Sequence, residues 1–185
     1  MKKYSEDYEI VVTKDENGRE RETAEYRGDY FDVTFTVGDI AKYKNLSILL
    51  LALTIVFHVG AGFIDNQGMY QFFVALPYVF AFFPLLYLAL GIFHLPKETR
   101  KFRRDEIGLS FDRIKTMSRV LLIFLGVGIL GEIVFLLFFA EKTYWPLEFL
   151  YILLQALAFS TVILFIRLQK RIHIQKFSDI SEQKP

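Results

Sequence analysis

The sequence predicts an all-helical membrane protein, a bundle of four transmembrane helices with a small N-terminal cytoplasmic β-meander. Residues 45–64, 66–96, 120–140 and 149–166 hold one Asp, Glu, Lys or Arg among them, Glu132. Each stretch is long enough to cross a hydrocarbon core, which takes about 20 apolar residues in a helix. The apolar residues, 53% of the chain, gather in these blocks instead of scattering, as they would for a water-soluble core. Twenty Phe and ten Tyr suit lipid-facing and interfacial positions.

The expected layout is a meander over residues 1–38, a membrane domain over 39–176 and a disordered tail over 177–185. Spans are expected at about 45–64, 71–95, 120–140 and 147–166. The first 45 residues carry eleven acidic and eight basic side chains and no apolar leader core, so the first span reads as a retained helix. Within them, residues 8–13 alternate and are rich in β-branched side chains, and Asn17-Gly18 signals a hairpin. A three-residue loop would set Lys14 against Glu20 and Asp15 against Arg19, opposite charges that stabilise a strand pair. That register also opposes Glu9 to Glu25. Gly28-Asp29 supplies a second turn before residues 30–36, which would align Tyr8, Tyr26 and Phe31, then Ile10, Ala24 and Val33, on one face. Asp39 is the expected N-cap of the helix that enters the first span.

Lys and Arg near span ends set topology. The loop over 97–119 holds Lys97, Arg100, Lys101, Arg103, Arg104, Arg113, Lys115 and Arg119, the candidate contacts to an anionic inner leaflet. Lys42 and Lys44 precede the first span, and Arg167, Lys170, Arg171 and Lys176 follow the fourth. The two remaining connections contain only Lys142. Both termini and the middle loop are therefore expected in the cytoplasm. In that loop Ile107, Phe111, Ile114 and Ser118 follow helical spacing. They define either a helix lying on the leaflet or, the simpler reading, a solvated connector.

There is no Cys, which excludes disulfides, thiolate metal sites and Cys nucleophiles. No nucleophile triad, catalytic carboxylate pair or phosphate loop stands out, so the expectation is no enzyme, no cofactor, no metal and no nucleic-acid partner. Glu132 is the one acidic residue inside a span, where a charge costs about 2.5–3.5 kcal/mol. Counted from the inner boundary at about 1.5 Å per residue, His58, Glu132 and Gln155 fall in one layer roughly 17–18 Å deep. Thr54 and Tyr78 are candidate additions to it. The cluster has two readings, a proton- or substrate-binding site, or interhelical glue at about 0.6–2 kcal/mol per bond. Gly126, Gly128 and Gly131 have the spacing of a dinucleotide loop but lie inside a span, where close helix packing explains them better. Pro77 and Pro84 share one face of the second span and are expected to kink it. His94 and Pro96 mark the inner edge, and Tyr144, Trp145 and Tyr151 the outer one.

The run Tyr26-Arg-Gly-Asp-Tyr30-Phe, with Leu76-Pro77-Tyr78 and Gly131-Glu132, resembles small four-span membrane proteins of Gram-positive bacteria. The resemblance implies a bacterial cytoplasmic membrane and carries no activity with it. Two functions stay open. One is a non-enzymatic accessory or scaffold subunit that binds a protein partner through its cytoplasmic face. The other is a small proton-coupled transporter or channel-forming homo-oligomer that uses the Glu132 layer.

Overall fold

A computed structural model of the chain describes residues 2–14, 20–35, 40–96, 101–139 and 144–177. The long helices are α1 (Ile40–Ala61), α2 (Phe72–Phe93), α4 (Arg113–Phe138) and α5 (Trp145–Gln169). A short helix α3 (Arg104–Ile107) and a wider π turn (Gly108–Asp112) run directly into α4, giving one 35-residue rod. All four rods are long and apolar enough to cross a membrane, and only about a third of each apolar window is buried (28–33%). Leu49, Val56, Phe83, Leu86, Ile123, Leu130, Leu153 and Leu164 point outward. Ser47, Thr54, His58, Glu132 and Gln155 point inward. Water as solvent would reverse that order; lipid favours it.

Packing follows small residues and the two prolines. α2 lies along α4, α1 along α5, and α4 against α5. Pro77 and Pro84 both sit on the buried face of α2. Pro77 has no N–H, so the carbonyl of Phe73 loses its helical donor. Gly131 of α4 covers that carbonyl, and a Cβ there would come within 2.7 Å of it. Gly91 of α2 makes a second close approach, where a Cβ would lie 2.9 Å from the Ile114 side chain. Of the three glycines in the α4 span, Gly131 serves close helix approach, while a Cβ at Gly128 would meet only ordinary contact, 3.9 Å from Pro77.

The middle loop departs from both readings of it. Ile107, Phe111, Ile114 and Ser118 are all buried, so their stripe extends the bundle core instead of lying on a leaflet or facing solvent. The π turn lets the adjacent Ser110 and Phe111 both face inward.

The strands form two sheets, not one meander. β1 (Tyr8–Lys14) pairs with β2 (Glu20–Tyr26) in the expected register, Tyr8 opposite Tyr26 and Lys14 opposite Glu20. Glu9 does face Glu25, and Arg27 sits between them, its guanidinium 2.7 Å from Glu9 and 3.7 Å from Glu25. The Asn17-Gly18 turn, Asp15 opposite Arg19, and the Asp39 cap lie outside the described residues. β3 (Tyr30–Phe35) does not continue the meander. It is the centre of a second sheet, between β4 (Phe102–Arg103) and β5 (Ile172–Lys176), both antiparallel. Val33 therefore pairs with Ile174 instead of Ala24. Gly28-Asp29 makes a bend, held by Tyr26 Oη donating to the Asp29 carbonyl at 2.7 Å, and Lys176 pairs with Asp29 at 2.8 Å. The segment before the first span, the middle loop and the segment after the fourth are thus sewn together at one end of the bundle, the basic end.

Candidate functional site

The buried polar residues line the bundle interior on α1, α4, α5 and the connection between α1 and α2. On α5 the inward face runs Glu148, Tyr151, Gln155, Ala158, Thr161 and Phe165, at spacings of three and four. On α1 it includes Ser47, Leu51, Thr54, His58 and Ala61. Because α1 packs on α5, their polar members meet in pairs. The Thr54 and Thr161 hydroxyls share a hydrogen bond at 2.8 Å. With one proton each, one of them donates across to the other, while that other donates to its own helix backbone, the Leu50 carbonyl at 2.8 Å or the Ala158 carbonyl at 2.7 Å. His58 Nδ1 lies 3.3 Å from Gln155 Oε1, a hydrogen bond across α1 and α5. Tyr78 stacks on the His58 ring at 4.5 Å and donates its hydroxyl to the His58 carbonyl at 3.2 Å. That carbonyl is in the last turn of α1, where helix carbonyls lack internal partners.

Glu132 is not part of this layer. Helices α1 and α4 stand diagonally in the bundle, so equal depth does not bring His58 and Glu132 together. Glu132 instead meets Asn66, in the connection between α1 and α2, and Glu148, in the first turn of α5. A single amide nitrogen, Asn66 Nδ2, donates to Glu132 Oε2 at 3.3 Å and to Glu148 Oε2 at 3.2 Å. The backbone N–H of Gln67 donates to Glu148 Oε1 at 2.7 Å. All three side chains are essentially sealed, at 0% exposure for Glu132 and 1% for Asn66 and Glu148. The connection reaches them because it folds inward: Gly68 lies on the Glu132 carboxylate, where any side chain would collide with it. The N-terminal half charge of α5 favours an anion at Glu148.

No Lys, Arg or His contacts this carboxylate pair among the described residues. Glu132 Oε1, Asn66 Oδ1 and the hydroxyl of Tyr151, one turn along α5 from Glu148, have no hydrogen-bond partner among the described residues. Nor do His58 Nε2 and Gln155 Nε2 deeper in the bundle. A cavity of about 440 Å³ opens along residues 62–70 with Asn66 in its wall. Among the described residues no group of three or more His, Asp or Glu is placed to hold a metal ion. Two carboxylates closed off from water and sharing one neutral amide repel each other whenever both are charged.

Of the residues singled out from the sequence, the structure joins His58, Gln155 and Tyr78, sets Thr54 below them with Thr161, and moves Glu132 to a separate site. Sequence reasoning missed Glu148 and Asn66, which it left in the short connections. Glu148 was detectable in principle, seven residues before Gln155 and hence on the same helical face. Asn66 offered no such signal.

The candidate lipid contacts divide as well. Arg103 reaches Asp105 and Glu106, each at 3.7 Å, Arg104 reaches Asp7 at 3.9 Å, and the Lys101 ammonium sits 3.5 Å over the Phe177 ring. These groups hold the basic end together. Lys115, Arg119 and Arg113 lie on α4 in no ion pair with a described residue, and Lys97 and Arg100 fall outside the described residues. Asp105 also accepts from Tyr8 at 3.0 Å, and the Arg104 N–H donates to Tyr26 Oη at 3.0 Å, which docks the β1–β2 hairpin. Desolvation, then the bond to Asp105, pushes the Tyr8 hydroxyl above its ordinary value; desolvation does the same at Tyr26.

Four apolar rods with a polar interior support a multi-pass membrane protein. No protein-family model, curated protein or solved structure matches the chain.

Proposed function

We propose that this chain is a multi-pass protein of a cell membrane, with both termini in the cytoplasm, and that it works without catalysis as an accessory or scaffold subunit. In this reading its cytoplasmic face holds a protein partner. The supporting observation is the β1–β2 hairpin. A two-stranded hairpin is marginal by itself, and this one joins no third strand among the described residues. Ile10 and Val12 on its face are 68% and 55% exposed. The bundle nonetheless positions it, through Tyr8 on Asp105, Tyr26 on the Arg104 N–H and the Arg104–Asp7 ion pair at 3.9 Å. A surface so placed and left uncovered suits a partner that buries it. The concentration of Lys and Arg at the same end favours the cytoplasmic side, and the Gram-positive resemblance fits a bacterial plasma membrane.

Purification from native membranes with mass spectrometry tests this reading. A stoichiometric partner is expected with the natural chain and absent with I10D/V12D, while the bundle of that variant still assembles. Capture unchanged by I10D/V12D refutes it.

A second reading has its own observation. The Glu132–Asn66–Glu148 site, sealed, doubly acidic and beside a cavity, supports a proton- or cation-coupled transporter or channel-forming oligomer. There Glu132 would carry the positive charge, with His58 and Gln155 further along the interior. Uptake into vesicles that is lost in E132Q and E148Q, with assembly intact, would favour it over the accessory role.

A further inference from the structure

One cavity belongs to neither reading. At the basic end, a pocket of about 340 Å³ is enclosed by α1, α4, α5 and β5. Its rim carries Lys115 and Arg119, one turn apart on α4, Lys170 at the end of α5 and His173 on β5. Its floor is apolar, with Tyr43, Phe111 and Ile166.

The charge of this pocket is unmatched. Several cations at this end are engaged, Arg27, Arg103, Arg104 and Lys176 in ion pairs and Lys44 with the Leu95 carbonyl at 2.6 Å. Arg113 and Arg171, like the pocket's own cations, form no ion pair with a described residue, but they lie off the pocket. Lys115, Arg119 and Lys170 form no ion pair with a described residue, although Asp112 stands in the same wall. Three permanent cations thus face one carboxylate. The C-terminal half charge of α5 offsets Lys170 in part, and falls off within a turn.

Its depth is also defined. Lys115 and Arg119 lie just before residue 120, and Lys170 just past residue 166, where the uncharged segments of the third and fourth spans end. At about 1.5 Å per residue all three stand within roughly 8 Å of the hydrocarbon edge, which is the headgroup layer. A basic pocket between spans at that level, with an apolar floor, fits a lipid headgroup above its own acyl chains. The volume is at the small end of the range of about 300–1,000 Å³ for ligand sites, and so suits a headgroup better than a chain.

We infer that this pocket binds the phosphate group of an anionic phospholipid, held by Lys115, Arg119 and Lys170 with His173 at the rim. The inference rests on the chain spanning a membrane and is independent of the accessory role.

The test uses the full chain in nanodiscs of phosphatidylcholine with phosphatidylglycerol, followed by native mass spectrometry of retained lipid. Preferential retention of phosphatidylglycerol is expected. At about fivefold per basic residue, K115Q/R119Q should weaken it by roughly thirtyfold, and R113Q/R171Q, equal in charge but off the pocket, should leave it. Equal loss in both pairs, or no loss in either, overturns the site. Displacement by inorganic phosphate would overturn the lipid as the source of the phosphate group. A chain that stays in buffer without lipid would overturn the membrane reading itself, a result distinct from insertion without lipid preference.

Discussion

Replacing Glu148 by Gln should make the protein more stable, and the structure sets the size of the gain. Glu132 Oε2 and Glu148 Oε2 each lie on the same Asn66 nitrogen, at 3.3 and 3.2 Å, and so are no farther apart than those two bonds end to end. At an effective dielectric of about 20, two unit charges within that limit repel by at least ~2.5 kcal/mol when both are ionised. In E148Q the charge is gone and the shape is kept. The new amide keeps an oxygen for the Gln67 N–H and offers a nitrogen to Glu132 Oε1, which has no partner among the described residues. It gives up the bond from Asn66. One bond is lost and one gained, so relief of repulsion dominates and stabilisation of about 1–2.5 kcal/mol is expected. Unfolding in mixed micelles measures it. E148Q less stable than the natural chain would refute the reasoning, and would show that the pair is held by a cation that needs both carboxylates.

Gly131→Ala should cost about 1–3 kcal/mol by forcing α4 off the Phe73 carbonyl; stability unchanged in the same unfolding assay would show that the helices separate freely. Tyr78→Phe removes the bond to the His58 carbonyl and keeps the ring stack, so a loss of about 1 kcal/mol is expected. Tyr8 and Tyr26 favour their neutral forms in the folded state, so the stability they lend to hairpin docking is complete below the ordinary tyrosine value of 10.0. It is lost as pH rises past that value. Proteolysis between the hairpin and the first span should therefore accelerate above about pH 10, and Tyr8→Phe should cleave faster at neutral pH as well.

Much of the architecture was legible because lipid imposes a simple condition, that a backbone crossing it must satisfy its own hydrogen bonds. Uncharged blocks about 20 residues long meet that condition locally, and so do α1, α2, α4 and α5. The β1–β2 register was readable for the same reason: Lys14 and Glu20, and the alternation on either side, are near neighbours. The partner of β3 was not. Alternation in Ile172-His-Ile-Gln-Lys marks a strand but does not name the strand it joins, and the segments that meet are well over a hundred residues apart.

Part of the inventory of inward polar residues was likewise available from the sequence, since His58, Glu132 and Gln155 in apolar runs have few stable alternatives to the interior, whereas the buried Asn66 and Glu148 were not read from it. How those residues group was decided by tertiary structure. Depth along a helix is one coordinate, and helix order around the bundle is the other. By placing α1 and α4 on a diagonal, the packing gave His58 to Gln155 and gave Glu132 to Glu148. The inward fold of the connection through Asn66 and Gly68 completed the carboxylate site, because a glycine can rest on the Glu132 carboxylate that a Cβ there would displace. Local chemistry thus determined which groups had to be buried, and long-range packing chose which of them touch.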